Sequence, residues 1–139
     1  MAFTGSFTTD AFKVALLTRY CATRTFMIAL YDTSATLNAQ TSAYTATNEV
    51  SGTGYTAGGE TIAAAVTLVN GAAVLAFSAP TWTAASFSAR GAMIYDSTTA
   101  GNPSVYIGDF GAVVTKTAAD FVITMPVADE VTGLIVLKV

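Results

Sequence analysis

Residues 62–80, IAAAVTLVNGAAVLAFSAP, are long enough to cross a bilayer as a helix, but Asn70-Gly71 interrupts them midway. Of everything in the chain, this dipeptide most limits what the sequence can fold into. Asn-Gly between apolar alternations favours a two-residue hairpin turn, because both turn positions need positive φ. The expected pairing sets Val69 opposite Ala72 and Leu68 opposite Ala73. Ile62, Ala64, Val66 and Leu68 then share a face with Ala73, Leu75 and Phe77, which would be one wall of a core. The reading is a hairpin, ended by Pro80 and Trp82, and no membrane span.

Further segments have strand character. TFMIALYD (25–32) places Phe26, Ile28 and Leu30 on one face and Met27, Ala29 and Tyr31 on the other. SFSARGAMIYD (86–96) alternates again, with Phe87, Ala89, Met93 and Tyr95 opposed to Arg90 and Ile94. Gly91 within it implies a bulge or a close backbone approach. STTAGNPS (97–104) is a turn cluster. VYIGDFG (105–111), ADFVITM (119–125) and TGLIVLKV (132–139) complete the set. Before them, Thr8-Thr9-Asp10 can cap a short helix over about 10–19, and Cys21 to Arg24 read as a turn.

Strands at intervals of about ten residues predict a mainly β chain, an antiparallel β-sandwich of jelly-roll or Ig-like type with one short N-terminal helix. The 139 residues are expected to form a single domain, 1–139. Within it a long loop, at about 33–60, shows no periodicity. A segment of that length usually binds something or lies over a neighbour.

Charged residues are only 11% of the chain, against 53% hydrophobic. Such a surface belongs either to a Thr/Ser-coated monomer or to a subunit whose faces other subunits cover. The second is favoured, because obligate interfaces are depleted in charge. The net charge is −3 and the six basic residues are scattered, so direct nucleic-acid binding is not expected. The first residues, MAFTGSFTTDAFK, lack the basic end and apolar stretch of a secretory signal.

Candidate chemistries fall away one by one. GTGYTAGGET (52–61) would spell a phosphate-binding loop if Glu60 were lysine. Glutamate adds charge of the wrong sign, and a strand rather than a helix is expected to follow. The looser dinucleotide pattern Gly52, Gly54, Ala57 lacks its acid about twenty residues on. These glycines read as a turn leading into a strand. GDFG (108–111) resembles a kinase motif, but the chain has no histidine. The same lack rules out Ser-His-Asp and Cys-His triads and histidine-ligated zinc.

The lone Cys21 reads as a small buried hydrophobe. Asp10, Asp32, Glu49, Glu60, Asp96, Asp109, Asp120, Asp129 and Glu130 remain as possible acid–base pairs. Most lie beside turn signals, where capping or solvated roles are ordinary. No catalytic, metal or cofactor residue is therefore assigned. Trp82 and Tyr95 read as core. Tyr44 and Tyr55, in the long loop, are either core or interface anchors. Arg90 is either a surface charge or a bidentate partner for a carboxylate. Tyr44, Tyr55 and Arg90 are the candidate partner-interface residues.

Three stretches, taken with FKVALLT, carry a resemblance: TFMIALYDTSATLNAQTSAYTATNEVSGTGYTAGGETI (25–62), TWTAASFSARGAMIYD (81–96) and VYIGDFG (105–111). Together, over most of the chain and in this order, they resemble a family of small virion structural proteins of tailed bacteriophages. The NEVSG…YTAGG and ARGAMIY blocks are its most specific parts. The resemblance implies a non-enzymatic capsid decoration (cement) protein, made in the host cytoplasm and carried on the head surface of the virion. It would bridge neighbouring major capsid protein subunits as a homo-oligomer, with no cofactor, nucleic acid or membrane as partner. A tail or baseplate subunit, a receptor- or glycan-binding module and a carboxylate glycosidase are the alternatives.

Overall fold

The computed structural model describes residues 8–138. The chain is mainly β, with two antiparallel sheets and one short N-terminal helix, as expected from sequence. Its elements fall into two compact units.

The first unit holds helix α1 (Asp10–Cys21) and a three-stranded sheet in the order β3 (Ala64–Val69), β4 (Ala72–Phe77), β7 (Ile135–Leu137). Thr9 caps the helix, its hydroxyl accepting from the Phe12 amide at 3.4 Å. The helix runs two residues past the expected end, since the Ala22 amide still reaches the Thr18 carbonyl at 2.9 Å. Cys21 therefore sits half-buried in its last turn rather than in a connecting turn or deep in a core. Lys13 is buried, with its ammonium on the Gly71 carbonyl and 2.9 Å from Asp10 Oδ1. This ties the helix to the hairpin turn.

Asn70 and Gly71 have φ of 45° and 76°, as that turn requires. The pairing is the expected one, Val69 with Ala72 and Leu68 with Ala73, out to Ala64 with Phe77. Two details differ. Ile62 belongs to another strand in the second unit, because hairpin pairing ends at Ala64. Leu68, beside the turn, is exposed rather than part of a wall. The central strand β4 carries the burial instead, on both faces: Ala72, Ala73, Val74, Leu75 and Phe77. Among the described residues, the last segment pairs with it over Ile135–Leu137.

The second unit holds a four-stranded sheet in the order β2 (Glu60–Ile62), β1 (Phe26–Tyr31), β5 (Thr81–Asp96), β6 (Ser104–Val122). Interior β1 is buried on both faces, which suits its unbroken apolar run. Trp82, expected to help end the hairpin, lies inside β5. The segments 105–111 and 119–125 are expected to be separate strands, but their pairing region is continuous to Val122. The Thr/Ala-rich stretch between them keeps strand character, and irregularities absorb the mismatch. Between Ala89↔Val114 and Gly91↔Asp109, two residues of β5 span five of β6. Gly91 lies at this irregularity, and a Cβ there would come within 2.7 Å of the Gly108 carbonyl oxygen.

One core patch joins Ala29, Tyr31, Met93 and Tyr95, with Met27, Ala35, Leu37, Tyr44 and Ile107 against it. A second is aromatic. Trp82 meets Phe121 edge-on at 5.8 Å and Tyr55 at 6.1 Å, and Phe87 lies 5.1 Å from Phe121. The connection 97–103 is the expected turn. The wholly buried Asp96 organises it, accepting from the Thr98 and Thr99 amides at 2.8 and 3.2 Å, the Thr99 hydroxyl at 2.6 Å, and Arg24.

Candidate interaction surface

The long loop between β1 and β2 is irregular, as read from sequence, yet tightly held to its own unit. Asn48–Val50 runs beside the end of β1, the Asp32 amide donating to Asn48 O at 3.0 Å and the Val50 amide to Leu30 O at 2.9 Å. This aims the Glu49 carboxylate at the loop. Its Oε2 accepts from the Tyr44 hydroxyl at 2.6 Å, and its Oε1 from the Tyr55 hydroxyl at 2.6 Å and the Gly58 amide at 2.7 Å. The Tyr55 oxygen also accepts from the Leu30 amide at 2.9 Å. Tyr31 and Tyr95 donate to the Thr45 and Gly58 carbonyls at 2.7 and 2.8 Å. Burial, and next the negative Glu49, hold the phenols of Tyr31, Tyr44, Tyr55 and Tyr95 above the usual tyrosine value. The arrangement suits clamping a loop; it is not an acid–base pair.

The glycine-rich stretch completes this loop and leads into β2, as expected. Gly59 has φ of 80°, and a Cβ on it would fall 1.8 Å from the Ile28 carbonyl oxygen. Only glycine lets the two backbones approach this closely.

Tyr44 and Tyr55 thus spend their hydroxyls inside the unit. Tyr44 stacks on Tyr95 with centroids 4.6 Å apart, and Tyr55 joins the aromatic patch. Both are half-buried. Arg90 is a bidentate partner to a carboxylate: its Nε and Nη2 donate to Asp109 Oδ1 and Oδ2 at 2.7 and 3.1 Å across β5 and β6. Asp109 raises the Arg90 guanidinium, while Arg90 and then the Gly111 amide lower the Asp109 carboxyl. This pair walls a cleft of about 310 Å³, with Asp32 and Thr33 on its polar side and Leu37 and Ile107 on its apolar side.

The structure brings Tyr44 and Tyr55 together around Glu49, and it sets Arg90 at the cleft instead. Glu49 and Asp109, the partners that organise these residues, are not singled out from sequence. The available signal for Glu49 is its place between the two loop tyrosines, five residues after Tyr44 and six before Tyr55.

On the outer strand β6, residues 111–120 are exposed except for half-buried Lys116. Val113, Val114 and Val122 on this strand are exposed by 48%, 36% and 54%. Among the described residues, no group of three or more His, Cys, Asp or Glu side chains is placed to hold a metal ion, and no helix is long and apolar enough to cross a membrane. Compared with protein-family models, with curated proteins and with solved structures, the chain finds no match in any of the three.

Proposed function

We propose that this chain is a non-enzymatic structural subunit of tailed-bacteriophage particles, a capsid decoration protein on the head surface. It binds neighbouring major capsid protein subunits as a homo-oligomer, with no cofactor. The observation that carries this reading is the long, weakly charged strand β6, with valines in water where a monomer would place polar residues. The resemblance of three sequence blocks and the 11% charged composition support it. The mechanism is burial of apolar surface across subunit seams, at roughly 25 cal/mol per Å², repeated over a shell.

The test is to add purified protein to phage heads lacking it and follow genome release on heating or chelation. Protected heads are the expected result; equal release with and without the protein sinks the reading. Electron microscopy of labelled particles separates the head from a tail or baseplate position. The cleft beside Arg90, Asp109 and Asp32 favours glycan binding as a second reading, and a glycan array tests it.

A further inference from the structure

The outer edge of β6 is partly occupied by the chain itself. Ala43 pairs antiparallel with Pro103, the Ser104 amide donates to Ser42 O at 3.1 Å, and the Tyr44 amide donates to Asn102 O at 2.9 Å. This short segment forms a single antiparallel bridge beside the start of β6. The loop then peels away in a turn closed by the Thr41 amide on Asn38 O at 3.0 Å and the Gln40 amide on Asn38 Oδ1 at 2.8 Å. A hollow of about 420 Å³ opens where it leaves, between Asn38, Ala39 and Thr41 on one side and Ser104–Ile107 on the other. Beyond it, among the described residues, no strand pairs with this side of β6.

We propose that a second copy of this chain occupies that edge, its Val105–Asp109 pairing antiparallel with Val105–Asp109 of the first about a two-fold axis near Ile107. Edge strands normally carry a lysine, a proline, a bulge or a cover that prevents such pairing, and here the register against β5 shifts once within the stretch, beside Val105. Val105, Tyr106, Ile107 and Gly108 carry no charge and no proline, and the Asp109 carboxylate is already neutralised by Arg90. No like charges therefore meet across the axis. A strand edge is also self-complementary under a two-fold, so one surface serves both partners.

The stretch is bounded at both ends. The Ser42–Tyr44 segment closes one, and at the other the register of β6 against β5 breaks after Asp109, where Gly111 has φ of 79° and its amide donates to Asp109 Oδ1 at 2.8 Å. About five residues, roughly 17 Å, remain for pairing. Each copy uses its open edge on the other, so the product is a closed dimer and not a fibre. Tyr106, 37% exposed, lies at the centre of this contact.

The inference rests only on the homo-oligomer part of the proposed function. Its test is sedimentation velocity on the full chain from about 1 to 100 μM, with amide hydrogen exchange at both ends of that range. Expected are a monomer–dimer equilibrium, protection of the 105–109 amides that grows with concentration, and a dimer weakened about tenfold or more by Tyr106→Lys. Val127→Lys, at a residue 74% exposed in the other unit, leaves the dimer unchanged. A protein that stays monomeric throughout overturns the proposal, as does an oligomer dissolved equally by Val127→Lys or indifferent to Tyr106→Lys. Should Tyr106→Lys not fold, exchange in the unaltered protein decides: 105–109 amides equally open at both concentrations overturn it. Monomers that still protect phage heads would reject the dimer while leaving the decoration reading intact.

Discussion

Removing the Glu49 carboxylate is expected to loosen the long loop and lower stability markedly. The carboxylate accepts hydrogen bonds of 2.6, 2.6 and 2.7 Å from Tyr44, Tyr55 and the Gly58 amide. Bonds to a charged group contribute about 1.5–3 kcal/mol each where water is excluded. Glu49 and both tyrosines are only half-buried, so water can replace part of what is lost. Taking about 1 kcal/mol per bond, Glu49→Ala costs about 3 kcal/mol, or about 10 °C in Tm for a chain of this size. Glu49→Gln keeps one oxygen for Tyr55 and Gly58 and loses only the charge and the Tyr44 bond, so it costs about half as much.

The two tyrosines should differ as well. Tyr55→Phe leaves the Leu30 amide without its partner at the fully buried Leu30, so it costs more than Tyr44→Phe. Urea unfolding followed by circular dichroism gives these values, and hydrogen exchange over 33–59 localises the change. A loss below about 1 kcal/mol for Glu49→Ala, or Tyr44→Phe proving the costlier tyrosine change, refutes the clamp.

Alkaline pH provides a separate check. The folded phenols of Tyr31, Tyr44, Tyr55 and Tyr95 lie above the unfolded value of 10.0, so above that pH the unfolded chain releases protons that the folded chain retains. Stability is then full below pH 10 and falls above it, by about 1.4 kcal/mol per pH unit for each such tyrosine. Tyrosinate absorbance from Tyr31, Tyr44 and Tyr55 should rise only as the circular dichroism signal collapses; their independent titration in a folded protein contradicts the clamp. Gly59→Ala sets a methyl 1.8 Å from the Ile28 carbonyl oxygen at a φ of 80°, so it should cost at least about 3 kcal/mol or abolish folding. A soluble variant with unchanged Tm would show that the two backbones do not approach so closely.

Local chemistry was enough to establish much of this protein. Asn70-Gly71 specified a turn and its register, because few dipeptides accept two consecutive positive φ values and side-chain alternation then fixes the pairing. Thr9 marked the start of the helix, Gly91 a close approach, and the absence of histidine removed whole classes of chemistry. The tertiary structure decided what depends on contacts distant in sequence. It separated Ile62 from the hairpin, ran β6 through a stretch that reads as two strands, and made β4 the buried centre of its sheet. It also gave Arg90 to Asp109, nineteen residues away, and turned Tyr44 and Tyr55 inward onto Glu49. A side chain's partner is set by which strands lie side by side and where their bulges fall, and no short window of sequence carries that information.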